Sequence, residues 1–229
     1  DCLGGYNFFE KDYETTLSEP RFIDHGEVSA NVFAEDSRIL EINSKSGLYP
    51  LYMAYSIYRT RVKNSLFSVS SIEDEQRIWD KVVAENIFVI CKTPMAKSIT
   101  KRTLIGFRDA KVNTRYFEDL INQIKNKPEN FVAKVAKGKS YWKAIDNDNM
   151  KFSAIVGNPP YQIMDGGTDR GAIPVYHHFM NISKRVRPNY ISMIMPARWY
   201  AGGRGLDEFR SDMISDTHLF RLHDYELSK

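Results

Sequence analysis

Cysteine is nearly absent: Cys2 and Cys91 are the only two in 229 residues, too few and too far apart in sequence for a disulfide framework. No Cys/His spacing matches a zinc site. Long hydrophobic runs are missing as well. No stretch approaches the ~20 apolar residues that cross a bilayer, and Asp1-Cys2-Leu3-Gly4-Gly5 is not a signal peptide. These absences fit a reducing cytoplasm, and a start without Met reads as an excised fragment. Charge of one sign is lacking too. With 32 Lys and Arg against 29 Asp and Glu the net charge is +3, which permits nucleic-acid binding but leaves local clusters to argue for it. What the chain does have is apolar material. Its 42% hydrophobic and 13% aromatic residues suffice for one sizeable core, so a single domain is the default.

The chain is organised around Phe152-Ser153-Ala154-Ile155-Val156-Gly157-Asn158-Pro159-Pro160-Tyr161-Gln162. Ala154, Ile155 and Val156 suit a strand covered on both faces, Gly157 allows close backbone approach, and two prolines stop the strand at Asn158. Asn-Pro-Pro-Tyr suits chemistry on a planar amine. Such a nitrogen has its lone pair delocalised into a ring and needs hydrogen-bond acceptors that draw it toward tetrahedral geometry. The Asn158 side-chain oxygen and the Pro159 carbonyl can each accept one amine hydrogen, Pro159 and Pro160 fix where both oxygens point, and Tyr161 can stack on the ring. An ordinary strand-ending turn is the alternative.

At these residues the sequence resembles the amino-methyltransferases that use S-adenosylmethionine, most closely the adenine DNA methylases of restriction-modification systems in which the cofactor motif precedes the catalytic one. The resemblance extends over nearly the whole chain. It implies an α/β architecture, the Rossmann-like class I methyltransferase fold, with a mostly parallel seven-stranded sheet and helices on both faces. Residues 37–229 would form the catalytic domain, lacking its last strand, and residues 1–36 an N-terminal arm. No target-recognition domain is found.

The arm is polar and broken by Gly, Pro and acids, so it is expected to be irregular around one or two short helices. Within it, Ser18-Glu19-Pro20-Arg21-Phe22-Ile23 is similar to the segment that closes over the methionine end of the cofactor, which makes Pro20 a cofactor candidate; a helix-starting loop is the alternative. Next, Arg38-Ile39-Leu40-Glu41-Ile42-Asn43-Ser44-Lys45-Ser46-Gly47-Leu48-Tyr49-Pro50 reads as strand, tight loop and helix start. Unpaired N–H groups at such a helix start can meet a carboxylate, and Gly lets the main chain approach. The stretch resembles the family's cofactor loop, with Glu41 at the acidic strand end, Asn43 after it, and Ser46-Gly47 at the turn. Lys45 departs from it, standing where the family usually has a first loop glycine.

A helix over 51–61 follows, then Ser71 and Asp74 as a capping box before the core stripe Ile78, Trp79, Val82 and Val83. Asn86-Ile87-Phe88-Val89-Ile90-Cys91 is the second buried strand, and Thr93-Pro94 starts a helix. The family ends this strand with an acid that holds the ribose hydroxyls. Here Cys91 stands at that place, with Lys92 or Thr93 as substitutes. A third strand around Val112, Thr114 and Tyr116 leads to Glu118 and Asp119. Those two fall where the family has a side chain near the cofactor adenine, or are simply acids favoured in a first helical turn.

The stretch 125–143 carries six lysines with Phe131, Tyr141 and Trp142 among them, and is expected to be a solvated connection. The polar loop Asp165-Gly166-Gly167-Thr168-Asp169-Arg170-Gly171 is expected to order on DNA. His177 and His178 read as ordinary helix-surface residues. Residues 190–195 make the fifth strand, ending in Arg198-Trp199-Tyr200-Ala201-Gly202-Gly203-Arg204, where Arg198, Trp199 and Arg204 suit a base-pocket wall or phosphate clamp. A helix over 206–215 and a sixth strand over 219–225 close the chain.

The resemblance implies methylation of the exocyclic amine of an adenine flipped from double-stranded DNA, with S-adenosylmethionine as donor, no metal, and a nuclease or recognition domain as a partner in the same polypeptide. Methylation of a glutamine side chain or an RNA base is an alternative within the same chemistry. A binding module that keeps the fold without turnover is another, in view of Lys45 and Cys91.

Overall fold

A computed structural model describes residues 2–9, 16–65, 71–142, 149–163 and 172–225. The chain begins with an antiparallel hairpin, β1 (Gly5–Phe9) and β2 (Thr16–Ile23), and the short helix α1 (Glu27–Val32). Strands and helices then alternate through β3 (Ile39–Ser44), α2 (Leu48–Asn64), α3 (Ile72–Asn86), β4 (Ile87–Cys91), α4 (Pro94–Ile105) and β5 (Asn113–Tyr116). Helices α5 (Leu120–Asn126), α6 (Pro128–Val135) and α7 (Gly138–Tyr141) lead to β6 (Ala154–Gly157). The short pair β7 (Gln162–Ile163) and β8 (Ile173–Pro174) precedes α8 (Tyr176–Val186), β9 (Tyr190–Met193), a 3-10 turn (Ala197–Ala201) and α9 (Asp207–Ser215).

The main sheet has the order β5-β4-β3-β6-β9, with every pair parallel. Each residue of β3, β4 and β6 is buried, as apolar strands covered on both faces must be. One face packs Ile39, Val89 and Ala154 against Ala54 and Ile57 of α2, Val82 and Val83 of α3, and Leu104 of α4. The other packs Leu40, Ile42, Phe88 and Ile155 under Ile124, Phe131, Trp142 and Phe179. On that face the Phe88 ring meets Trp142 at 5.2 Å and Phe152 at 5.6 Å, both edge-on, the arrangement aromatic quadrupoles favour. Local chemistry sets the helix starts: Ser71 Oγ accepts from Asp74 N before α3, and Thr93 Oγ1 accepts from Ala96 N with Pro94 opening α4.

Four expectations need correction. The arm is not irregular: β1 and β2 pair over α2, where Tyr6 and Phe8 pack on Tyr55, and Tyr6 N donates to Ser56 Oγ at 3.0 Å. The lysine-rich stretch is not a loose connection over its described residues, because Phe131 and Val135 of α6 and Trp142 after α7 are fully buried while Lys125, Lys127, Lys134, Lys137 and Lys139 are exposed. Residues 219–225 form no strand, and Phe220, Leu222 and Tyr225 stay exposed. Nor do His177 and His178 sit on open surface. They are half-buried, with the His177 ring 5.9 Å from Phe209, and burial lowers both imidazole pKa values, that of His177 to about 4. The expected fifth strand is present but shorter, ending at Met193. Among the described residues no helix is long and apolar enough to cross a membrane.

Gly5 is what lets the hairpin lie so close to α2. A Cβ there would meet the Phe33 ring at 2.7 Å and Ser56 Oγ at 2.8 Å. Gly5→Ala is therefore expected to cost roughly 1–3 kcal/mol, seen as a lower Tm. A melt coincident with the wild type would mean that the hairpin stands outside the cooperative unit.

Candidate active site

Sheet order singles out one place. From β3 the chain moves outward to β4 and β5, then returns to the other side of β3 with β6. The crevice beyond the carboxyl ends of β3 and β6 is thus the topological switch point, where open α/β sheets bind ligands. Glu41 pairs with Val156 across these two strands, so the loop after β3 and the turn after β6 emerge side by side.

Asn43 joins them. It is the extra residue where β3 slips register against β4, it has a left-handed φ of +75°, and it is 3% exposed. Asn tolerates that conformation better than most residues, and a bulge re-aims its side chain. Its Nδ2 donates to the Asn158 carbonyl oxygen at 3.3 Å.

The loop after Asn43 is fastened by α4. Ser44 Oγ lies 3.3 Å from Thr100 Oγ1, Lys92 N donates to Ser44 O at 2.9 Å, and Thr103 Oγ1 donates to Ser46 O at 2.6 Å. Lys45 and Ser46 are exposed. Gly47 caps α2 with φ +79° and without a side-chain hydrogen bond, so the first-turn N–H groups of α2 have no capping side chain. A Cβ on Gly47 would lie 3.0 Å from Thr100 Cα, so glycine also serves the packing of the loop on α4.

Glu41 is the electrostatic anomaly. It is 4% exposed and its Oε2 has no hydrogen-bond partner. Burial lifts its pKa from 4.5 to about 7, against a smaller lowering by Ser44. Tyr49, in the first turn of α2, has its hydroxyl pKa raised mainly by burial. The Asn158 side chain opposes that rise, and Glu41 and Tyr161 add to it. Tyr49 therefore sits among Glu41, Asn158 and Tyr161, a place that sequence reasoning left unassigned. An aromatic two residues after the loop glycine was the available signal.

At the turn itself Pro159 is buried, Asn158 and Pro160 are half-buried, and Tyr161 is 44% exposed, with its carbonyl accepting from Val175 N at 3.2 Å. Other expected residues lie further off or deeper. Cys91 is fully buried beneath α4, with its thiol pKa pushed up to about 12 by burial, while Lys92 beside it is exposed. Glu118 and Asp119 are exposed beyond β5, where Glu118 lines a cavity of about 470 Å³ with Tyr116, Phe117, Lys134, Lys137 and Tyr141. That cavity includes none of the switch-point residues. Pro20 is half-buried in β2, at an irregularity in the pairing, and not in a helix-starting loop. Arg198 and Arg204 are exposed, whereas the Trp199 ring is packed with Tyr176, Leu206 and Phe209. The polar loop at 165–171 lies outside the described residues.

Glu41 gives the site a pH signature. The folded chain holds a proton up to about pH 7 that the unfolded chain loses near pH 4.5, so stability falls as pH rises through that window. The full loss is on the order of 3 kcal/mol. Glu41→Gln should match the wild-type Tm near pH 4 and exceed it at pH 8. Equal melting temperatures at both pH values would show that the carboxylate is hydrated or paired in solution.

Comparison with known proteins agrees with the fold. The model of the Eco57I restriction-modification methylase family matches residues 85–229. A protein of Mycoplasma pneumoniae (strain ATCC 29342 / M129 / Subtype 1) described as an uncharacterized adenine-specific methylase is 44% identical over 52 residues. That match covers 22% of this chain and 12% of the relative, so the chain matches only a small part of that protein's length. The doubly wound parallel sheet is Rossmann-like, and with the family model covering more than half of its residues, the chain belongs to the Eco57I restriction-modification methylase family.

Proposed function

We propose that this chain is catalytic machinery of an adenine-specific DNA methyltransferase, which moves a methyl group from S-adenosylmethionine to the exocyclic amine of a flipped adenine. The observation that carries the reading is the Asn43–Asn158 hydrogen bond at the switch point. It ties the loop suited to the cofactor to the turn suited to the amine. Family membership and the description of the Mycoplasma relative as an adenine-specific methylase support the same chemistry.

The residues at the crevice fit the cofactor's zwitterionic end. The N-terminus of α2, without a capping side chain, suits the carboxylate, and the unpartnered buried Glu41 Oε2 suits the ammonium. Lys92, exposed where Cys91 is buried, is a side chain at the β4 end available to the ribose, with Thr93 exposed beside it. When bound, S-adenosylmethionine supplies a methyl group activated by its sulfonium.

The chain's own work is to orient the amine. Asn158 Oδ1 and the Pro159 carbonyl accept its two hydrogens, which localises the nitrogen lone pair, and the adjoining prolines hold both acceptors in place. Tyr161, nearly half exposed, offers a face on which an extruded base stacks. Exposed Arg198 and Arg204 suit phosphates, and the packed Trp199 ring supports the segment between them. A recognition or nuclease domain elsewhere in the polypeptide would complete the restriction-modification role.

Asn158→Ala removes one acceptor from a half-buried turn without opening the core. Incorporation of labelled methyl groups into DNA should fall about 100-fold or more in the longest polypeptide carrying this chain, with S-adenosylmethionine affinity retained by calorimetry. Undiminished turnover would sink the assignment of Asn158.

A further inference from the structure

The peptide between Asn158 and Pro159 has an unusual mechanical problem. Neither Pro159 nor Pro160 has an N–H, so across two successive peptides the carbonyl oxygens are the only backbone groups by which the fold can hold the turn. Both acceptors of the amine are referred to the first of these peptide planes. The Asn158 side chain leaves the Cα on one side of it. The Pro159 carbonyl follows on the other side, through a φ that the ring locks near −65°. Whatever fixes the Asn158 carbonyl oxygen therefore aims both acceptors together.

Asn43 Nδ2 holds that oxygen at 3.3 Å. Its donor is delivered by deliberate geometry: a register slip at the end of β3, a left-handed φ of +75°, and a side chain that is almost wholly buried. Asn43 is also the residue from which the Ser44–Gly47 loop departs, and Tyr49, just past that loop, stands beside the Asn158 side chain. The turn is thus gripped from both ends of one short segment.

We infer that Asn43 is not a ligand of the cofactor but the positioning residue of the methyl-acceptor grip, setting Asn158 Oδ1 and the Pro159 carbonyl at once through the Asn158 carbonyl oxygen. The inference rests on the proposed role of Asn158 and Pro159 as amine acceptors. It makes the cofactor loop and the catalytic turn one unit, so that a disturbance of the loop reaches the amine through a single hydrogen bond.

Two substitutions test it in the longest active polypeptide carrying the chain. Asn43→Gly keeps the left-handed backbone and deletes the donor. Asn43→Asp keeps size and shape but turns an acceptor toward the carbonyl. For Asn43→Gly, kcat for methyl transfer should fall roughly tenfold while the Kd for S-adenosylmethionine stays within about twofold, and Asn43→Asp should fall further. Combined with Asn158→Ala, each should add only part of its own loss, because the side-chain acceptor that Asn43 aims is then gone while the residue-158 carbonyl and, through it, the Pro159 carbonyl are still held. A wild-type kcat in Asn43→Gly overturns the inference, as does a loss confined to cofactor Kd, or full additivity with Asn158→Ala. If instead Asn158→Ala itself turns over normally, the acceptor reading fails first and the inference falls with it.

Discussion

Burial of β3 on both faces is the constraint on which the site depends. On a strand so enclosed a polar side chain without a partner is costly, on the order of 1–3 kcal/mol for each unpaired buried group. Yet its carboxyl end carries Glu41, Asn43 and Ser44, all buried. Asn43 is satisfied by the Asn158 carbonyl and Ser44 by Thr100, so the partners of β3 are the first residue of the turn after β6 and a residue of α4. Pairing of β3 with β6 alone would bring these segments close. The polar requirements of β3 fix their orientation.

The arrangement is braced from outside the sheet. Asn86 Nδ2 donates to the carbonyls of Glu35 and Ser37, and Arg61 bonds Glu35 O, Glu85 and Asn86, so α2, α3 and the entry to β3 share one network. The hairpin β1–β2 then covers the outer face of α2 with aromatic rings, with Arg59 over Tyr6 at 4.9 Å. Helix α2 is thereby held along its length, from the loop glycine to its last turn. That matters because α2 supplies Gly47 and Tyr49 to the crevice.

Much of this was legible in the sequence because the central strands leave continuous apolar runs, as at Ile87 to Cys91, and because caps such as Ser71 and Thr93-Pro94 are local chemistry. The Asn-Pro-Pro turn is legible for the same reason. Elsewhere the deciding forces are not local. Residues 219–225 carry Leu219, Phe220, Leu222 and Tyr225, but apolar content alone does not make a strand, which also needs a neighbouring strand to pair with. In residues 125–143 the lysines disguise a helical face whose buried members are Phe131 and Val135. The hairpin was hidden by Pro20 and by an irregular register, with aromatic side chains that make sense only against α2. For the candidate site, residue types point to Asn158 and Gly47. The burial that isolates Glu41, encloses Cys91 and brings Tyr49 to Asn158 is a property of the assembled layers.

The charge state of Glu41 then follows from two opposed effects. The N-terminus of α2 lies at the same crevice, and its unpaired N–H groups favour a nearby anion, by about 0.3–1 kcal/mol in ordinary cases. Burial works the other way and is larger, since the carboxyl is lifted to about 7 in spite of Ser44. The crevice without ligand is therefore short of positive charge at Glu41 and short of negative charge at α2. A ligand carrying only one charge would relieve one of these and leave the other. An α-amino acid end, with ammonium and carboxylate on one carbon, relieves both. Under the proposed reading, this is why the loop answers to the methionine end of the cofactor even though Lys45 and Cys91 depart from the family pattern.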